Sequence, residues 1–311
     1  MSEIPPTDNS CPATPPPEPP DPLAMPPALG SGTSPSVSTP TVLRFYRHTL
    51  PVRLTHWLNV ICLPILVMSG LQIFNAHPRL YWGNRSDRNH ALLSLQAVVT
   101  DGGTLKGVST VWGWTFVTTG LFGASGGVPR GFPAWMTIPS GRWLAMGRRW
   151  HFFFGWLFTL NGLAFGLYAL GGRHLWRNLW PGWQDIRGIG RTILGHLRLR
   201  HPTGAAAKHY NVLQKLTYTG VIFVLGPLTI LTGLAMSPQI DASFPWLLTL
   251  FGGRQAARTV HFGVCFALVG FTLVHLGMVA VTGLRNNLRS MITGWYATPA
   301  EGDIQHEQAS H

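Results

Sequence analysis

Charge is what this chain has least of. Asp, Glu, Lys and Arg make up 11% of its 311 residues, against about 25% in an ordinary soluble protein. Acids are scarcer than bases, 11 against 23. The shortage speaks against an ordinary solvated surface and for a membrane class. The net charge of +12 does not indicate nucleic acid, because the basic residues gather at the ends of apolar runs, where they set topology. Cysteine is rare too. Cys11, Cys62 and Cys265 show no paired spacing, which excludes a disulfide framework and a zinc or iron–sulfur site, and no C-x-x-C-H occurs to attach a c-type haem. No nucleophile, acid–base pair or phosphate loop stands out, so substrate chemistry is expected on another subunit. Residues 1–41 lack the charged-then-apolar pattern of a signal peptide. Rich in Pro, Ser and Thr, they read as a disordered cytoplasmic tail.

What is present is apolar length. Four runs, at about 54–74, 151–171, 212–236 and 259–283, are each long enough to cross a hydrocarbon core of about 30 Å. Pro227 is tolerable inside the third. The expected fold is an all-α integral membrane four-helix bundle over 42–296, followed by a C-terminal tail at 297–311. Trp57, Trp150, Trp176, Trp180 and Trp246 fall near span ends, as an interfacial belt would place them. The loop of residues 75–148 is long. Its apolar stretch at 108–123 is short and rich in Thr and Gly, and is placed outside the bilayer, a fifth span being the alternative. The connection at 172–211 carries seven basic residues against Asp185, which puts it and both termini on the cytoplasmic side of a bacterial inner membrane. Ile186, Ile189, Ile193 and Leu197 recur there at helical spacing among arginines, as in a helix lying along the inner surface. No internal repeat is apparent.

Imidazoles inside such runs need an explanation, since polar groups in hydrocarbon are costly. In the last span His261 and His275 are 14 positions apart, which places them on nearly the same face and roughly 21 Å apart along the axis. With the topology above, His56 and His275 lie near the inner side, and His151 and His261 near the outer side. Four histidines thus sort into one pair per leaflet. Structural zinc wants four N or S ligands and catalytic zinc three. Two imidazoles and no carboxylate suit instead a flat tetrapyrrole, which brings four ligands of its own. Two stacked b haems are therefore expected, His56 with His275 and His151 with His261. Gly70, Gly155 and Gly162 share faces with these histidines and would make room. Gly263, Gly270 and Gly277 face the other way and read as helix-packing positions. Arg53, Arg149 and Arg258 precede His56, His151 and His261 by two or three residues, placed either to pair with haem propionates or to anchor topology.

The pattern resembles the di-haem b-type cytochrome subunits of nickel–iron hydrogenases and of membrane molybdoenzymes such as formate dehydrogenase and thiosulfate reductase. The resemblance rests on R-L-T-H-W at 53–57, R-R-W-H at 148–151, K-H-Y-N-V-L-Q-K at 208–215 and the 14-residue spacing of His261 and His275. It implies that the four histidines ligate two b haems. It further implies a quinone site on the inner side near His209, Asn211 and Gln214, with His209 as a possible proton carrier. The implied role is a membrane electron-transfer subunit that links a periplasmic redox enzyme to the quinone pool. A molybdopterin oxidoreductase is favoured as partner over a hydrogenase. The long outer loop, with Tyr81, Trp82, Trp112, Trp114 and Trp135, would suit docking of that enzyme. The alternative is a non-redox membrane protein, either a transporter of protons or metal ions or a bare membrane anchor.

Overall fold

A computed structural model describes residues 42–171 and 212–299. The expected N-terminal tail, the basic connection with its surface helix, Trp176, Trp180, His209 and Asn211 lie outside the described residues. Four helices among the described residues are long and apolar enough to cross a membrane. The first span is Leu50–Phe74, the second Leu144–Gly171 and the fourth Arg254–Val281. The third runs through Val212–Gly220, a π-helical turn Val221–Leu225, and Gly226–Ala235. Proline explains two local features. Pro51 opens the first span, at a turn whose N–H groups lack helical partners anyway. Pro227 brings no N–H to the turn before it, and the widened π turn sits there. Spans one, two and four start four, seven and five residues earlier than expected. Composition marks only the stretch that suits hydrocarbon, whereas a helix continues into the polar boundary.

Outward faces of the spans are apolar and uncovered: Phe153 is 67% exposed, Leu167 73% and Val274 68%. Hydrocarbon is the medium that would cover such surface at no cost. Inside, spans one and two are tied by Asn161, whose Nδ2 donates to Thr55 O at 2.9 Å and to Asn59 Oδ1 at 2.8 Å.

The two ends of the bundle differ. At one, β1 (Val42–Tyr46) pairs antiparallel with β8 (Trp295–Pro299), so the sequences flanking the spans clasp each other. Strand β8 runs three residues past the boundary expected at 296. A helix Leu284–Thr293 links it to the fourth span, and Trp57 Nε1 donates to Met291 O at 3.0 Å to hold that helix down.

The other end carries the long loop, which is β structure. Strands β2 (Arg79–Leu80), β3 (Leu93–Val99), β4 (Leu105–Val111) and β5 (Trp114–Val117) form one antiparallel sheet in that order, and the short antiparallel pair β6 (Ala124–Ser125) and β7 (Val128–Pro129) follows it. The stretch 108–123 is thus hairpin and loop, and the fifth-span alternative falls. Trp112 and Gly113 connect β4 to β5 with φ of 47° and 85°, the two positive values that a tight two-residue hairpin turn requires. Leu80, Leu95 and Phe132 from this domain close over Leu71 and Phe74 of span one and Phe262 of span four. Arg130 staples the following loop, donating to Phe132 O (2.8 Å), Ser140 O (3.1 Å) and Thr137 Oγ1 (3.0 Å).

Candidate functional site

The four intramembrane histidines meet two by two. At the β1/β8 end, the rings of His56 and His275 stand 6.3 Å apart centre to centre, inclined at 63°. At the sheet end, those of His151 and His261 stand 6.2 Å apart, inclined at 71°. Three spans supply them, and only the fourth contributes to both levels.

The sheet-end pair is tightly held. His151 Nδ1 lies 3.1 Å from Leu66 O and 3.1 Å from Ser69 Oγ. A carbonyl can only accept, so Nδ1 carries the proton and Nε2 keeps its lone pair. Ser69 gives its own hydroxyl proton to Ile65 O at 2.6 Å, which leaves its oxygen to accept from the imidazole. His261 repeats the arrangement. Its Nδ1 lies 3.0 Å from Thr229 O and 3.0 Å from Thr232 Oγ1, whose hydroxyl donates to Leu228 O at 2.6 Å. A glycine follows each hydroxyl. A Cβ at Gly70 would come within 3.2 Å of His151 Cε1, and one at Gly233 within 3.4 Å of His261 Cε1.

The other pair is held differently. His56 Nδ1 is buried with no hydrogen-bond partner among the described residues, as is Nε of Arg53 one turn before it. Phe271 lies parallel to His275 at 5.8 Å, and Tyr218 of the third span approaches it edge-on at 6.5 Å.

The remaining expected residues fare unevenly. A Cβ at Gly155 would stand 4.0 Å from Leu66 Cδ2, and one at Gly162 would meet nothing within 4 Å among the described residues. A Cβ at Gly263, Gly270 or Gly277 likewise meets nothing within 4 Å among the described residues, which lends the helix-packing reading no support. Arg258 lies 5.2 Å over Phe74 and donates to His77 O at 2.6 Å. Arg149 is not brought to the sheet-end pair: it stands about 160° round the helix from His151 and lines a shallow groove with Trp150 and Phe153. Gln214 falls in the first turn of the third span. Tyr81 is buried, 1% exposed, and is no docking residue, whereas Trp82, Trp112, Trp114 and Trp135 are 64–76% exposed. Three contributors escaped the sequence, Gly233 and the hydroxyl residues Ser69 and Thr232. The sequence carried no signal for them, since Ser-Gly or Thr-Gly occurs at ten places along the chain. His77 also carried no signal, yet burial, and then Arg258, Arg79 and Arg88, hold its imidazole below the ordinary range.

Among the described residues no group of three or more His, Cys, Asp or Glu gathers to hold a metal ion. Each level offers two imidazoles, which suits a metal whose other ligands come from elsewhere.

A family model described as "Prokaryotic cytochrome b561" matches residues 47–294. The chain is also 30% identical over 247 residues to the "Putative protein-methionine-sulfoxide reductase subunit YedZ1" of Azospira oryzae, covering 78% of this chain and 93% of that one. No solved structure matches.

Proposed function

The chain belongs to the prokaryotic cytochrome b561 family, membrane haem proteins of electron transport, and on that premise we propose that it carries two b haems and links a periplasmic oxidoreductase to the quinone pool. One observation carries the reading: imidazoles from three separate spans pair at 6.3 and 6.2 Å. An imidazole centre lies about 1 Å behind its nitrogen, so two rings bonded at about 2 Å to one ion stand with centres roughly 6 Å apart. The anchored Nδ1 atoms of His151 and His261 support it further, because ligating histidines usually donate their second nitrogen to a carbonyl or another acceptor.

On this reading His56 and His275 ligate the haem at the β1/β8 end, and His151 and His261 the haem at the sheet end. Gly70 packs beside the latter's His151. Bound haem supplies the one-electron chemistry. The protein supplies axial ligands, burial and nearby charge. Arg53, whose Nε is buried without a partner, and Arg258 are the guanidinium groups placed to face propionate carboxylates. Arg149 gains no support from its position.

The β1/β8 end is the cytoplasmic one in this proposal, following the basic connection of residues 172–211. Quinone would exchange electrons there, near the start of the third span. Gln214 lies four residues before Tyr218, the residue that reaches His275. The sheet domain then faces the periplasm, in a bacterial inner membrane. Its exposed Trp82, Trp112, Trp114 and Trp135 form the surface on which a catalytic partner would dock, since aromatics are enriched at such contacts. A molybdopterin enzyme is the favoured partner class, in line with the resemblance above. The relative being named as a reductase subunit supports an oxidoreductase partner.

The test is optical. The purified protein should be red, with a b-type reduced-minus-oxidised spectrum and two haems per chain. His275→Ala should remove one haem and leave the other. A colourless protein, or an unchanged count of two in that variant, refutes the assignment. Trp112→Ser with Trp114→Ser should weaken co-purification of the periplasmic subunit, and unweakened capture refutes the docking surface.

A further inference from the structure

The sheet-end level is built twice from one local pattern. In L-V-M-S-G at 66–70 and T-I-L-T-G at 229–233, the first residue presents its carbonyl to an imidazole, the fourth presents a hydroxyl oxygen to the same nitrogen, and the fifth is a glycine lying against that ring. Each pattern sits on the first helix of a helical hairpin and serves the histidine at the start of the second. Span one serves His151 on span two, and span three serves His261 on span four. Two hairpins thus face each other across the pair.

We propose that Ser69 and Thr232 are positioning residues of the sheet-end haem alone, holding His151 and His261 by Nδ1 so that both Nε2 atoms turn to one iron and both imidazoles donate strongly to it. The proposal rests on the haem reading above.

The chemistry follows from the direction of the hydrogen bonds. Each hydroxyl spends its proton on the preceding turn, on Ile65 O or Leu228 O, so it meets the imidazole only as an acceptor. An acceptor on Nδ1–H makes Nε2 more basic. A more basic axial ligand favours ferric over ferrous iron, which lowers the potential. The other pair has no such device among the described residues, since His56 Nδ1 is without a partner. Removing the hydroxyls should therefore act on one haem and spare the other.

The experiment is a potentiometric titration of the full chain in detergent, followed in the b-type absorbance, with haem counted per chain. Wild type, Ser69→Ala, Thr232→Ala, the double variant, Ser69→Thr and His151→Ala are compared. In each hydroxyl deletion one of the two components should shift to higher potential, further in the double variant, while the second stays put. Ser69→Thr, which keeps the acceptor, should titrate as wild type. Loss of one component in the double variant, with the second intact, is the same effect in stronger form. Unshifted titrations in all three deletions overturn the positioning role, as does an equal shift of both components. The haem reading fails separately, on the His151→Ala control: a haem count that does not drop there refutes the ligand assignment itself.

Discussion

Gly70 and Gly233 invite the same substitution with opposite expected outcomes. A methyl at Gly70 would lie 3.2 Å from His151 Cε1 and 3.5 Å from its Nδ1; at Gly233 the corresponding distances to His261 are 3.4 and 3.8 Å. Carbon atoms prefer about 3.5–4.0 Å, so the first methyl must displace its ring by a few tenths of an ångström and the second nearly fits. His151 is poorly placed to yield, because Leu66 O and Ser69 Oγ hold its Nδ1 at 3.1 Å. Overpacking costs about 1–3 kcal/mol, whereas replacing glycine by alanine inside a helix gains about 1 kcal/mol. Gly70→Ala should therefore be destabilising, by up to about 2 kcal/mol. For Gly233→Ala the steric cost is small, and the helix term leaves it neutral to about 1 kcal/mol stabilising. Thermal unfolding of the two variants in one detergent, with haem counted per chain, measures both. Gly70→Ala should melt below wild type and bind haem less completely, and Gly233→Ala should do neither. Equal effects, or the reverse order, would refute the packing argument.

Asn161→Ala removes two hydrogen bonds between spans one and two. Such bonds within membranes are worth about 0.6 kcal/mol each on average, so a loss of about 1 kcal/mol in detergent-unfolding stability is expected, and an unchanged midpoint would contradict it. His77 is held neutral by burial first and by the charges of Arg258, Arg79 and Arg88 after it. Its folded pKa lies below its unfolded one, so the unfolded chain binds the extra proton and stability falls as pH drops below about 6.5. His77→Gln should narrow the difference in melting temperature between pH 7.5 and pH 5; a difference as wide as in wild type would show that His77 is not the group responsible.

The spans and the four histidines were legible because both signals are periodic and local. A long uncharged run declares itself, and 14 positions along a helix return a side chain to the same face whatever surrounds it. The sheet domain was not legible. Its strands are short, and Leu80, Leu95 and Phe132 are buried against Leu71 and Phe74 of a span, so the apolar pattern of each strand makes sense only once the partner surface is known. Tyr81 is buried for the same reason, where its place in an outer loop suggested an exposed ring. The recurring contact pattern was not legible either. Leu66 and His151 are separated by the sheet domain, Thr229 and His261 by two short helices, Pro238–Ser243 and Pro245–Leu250, and no constant period survives such unequal connections.

The recurring pattern reaches only one of the two levels. Leu66 and Thr229 are 163 positions apart, and the same step from His56 falls on Thr219; His151 and His261 are 110 apart, and the same step back from His275 falls on Phe165. The β1/β8-end pair therefore lies outside the recurring pattern. It couples the first helix of one hairpin to the last helix of the other, and its register hangs on the stretch of span four between His261 and His275. One alanine inserted between Val269 and Gly270 would turn His275 by about 100° and move it about 1.5 Å along the axis. His56 could no longer be met at 6.3 Å, while His261 keeps its contacts with Thr229 and Thr232. If the pairs hold haem, the inserted variant should fold with one haem per chain, the sheet-end one. Two haems, or none, would show that the levels are not set independently along that helix.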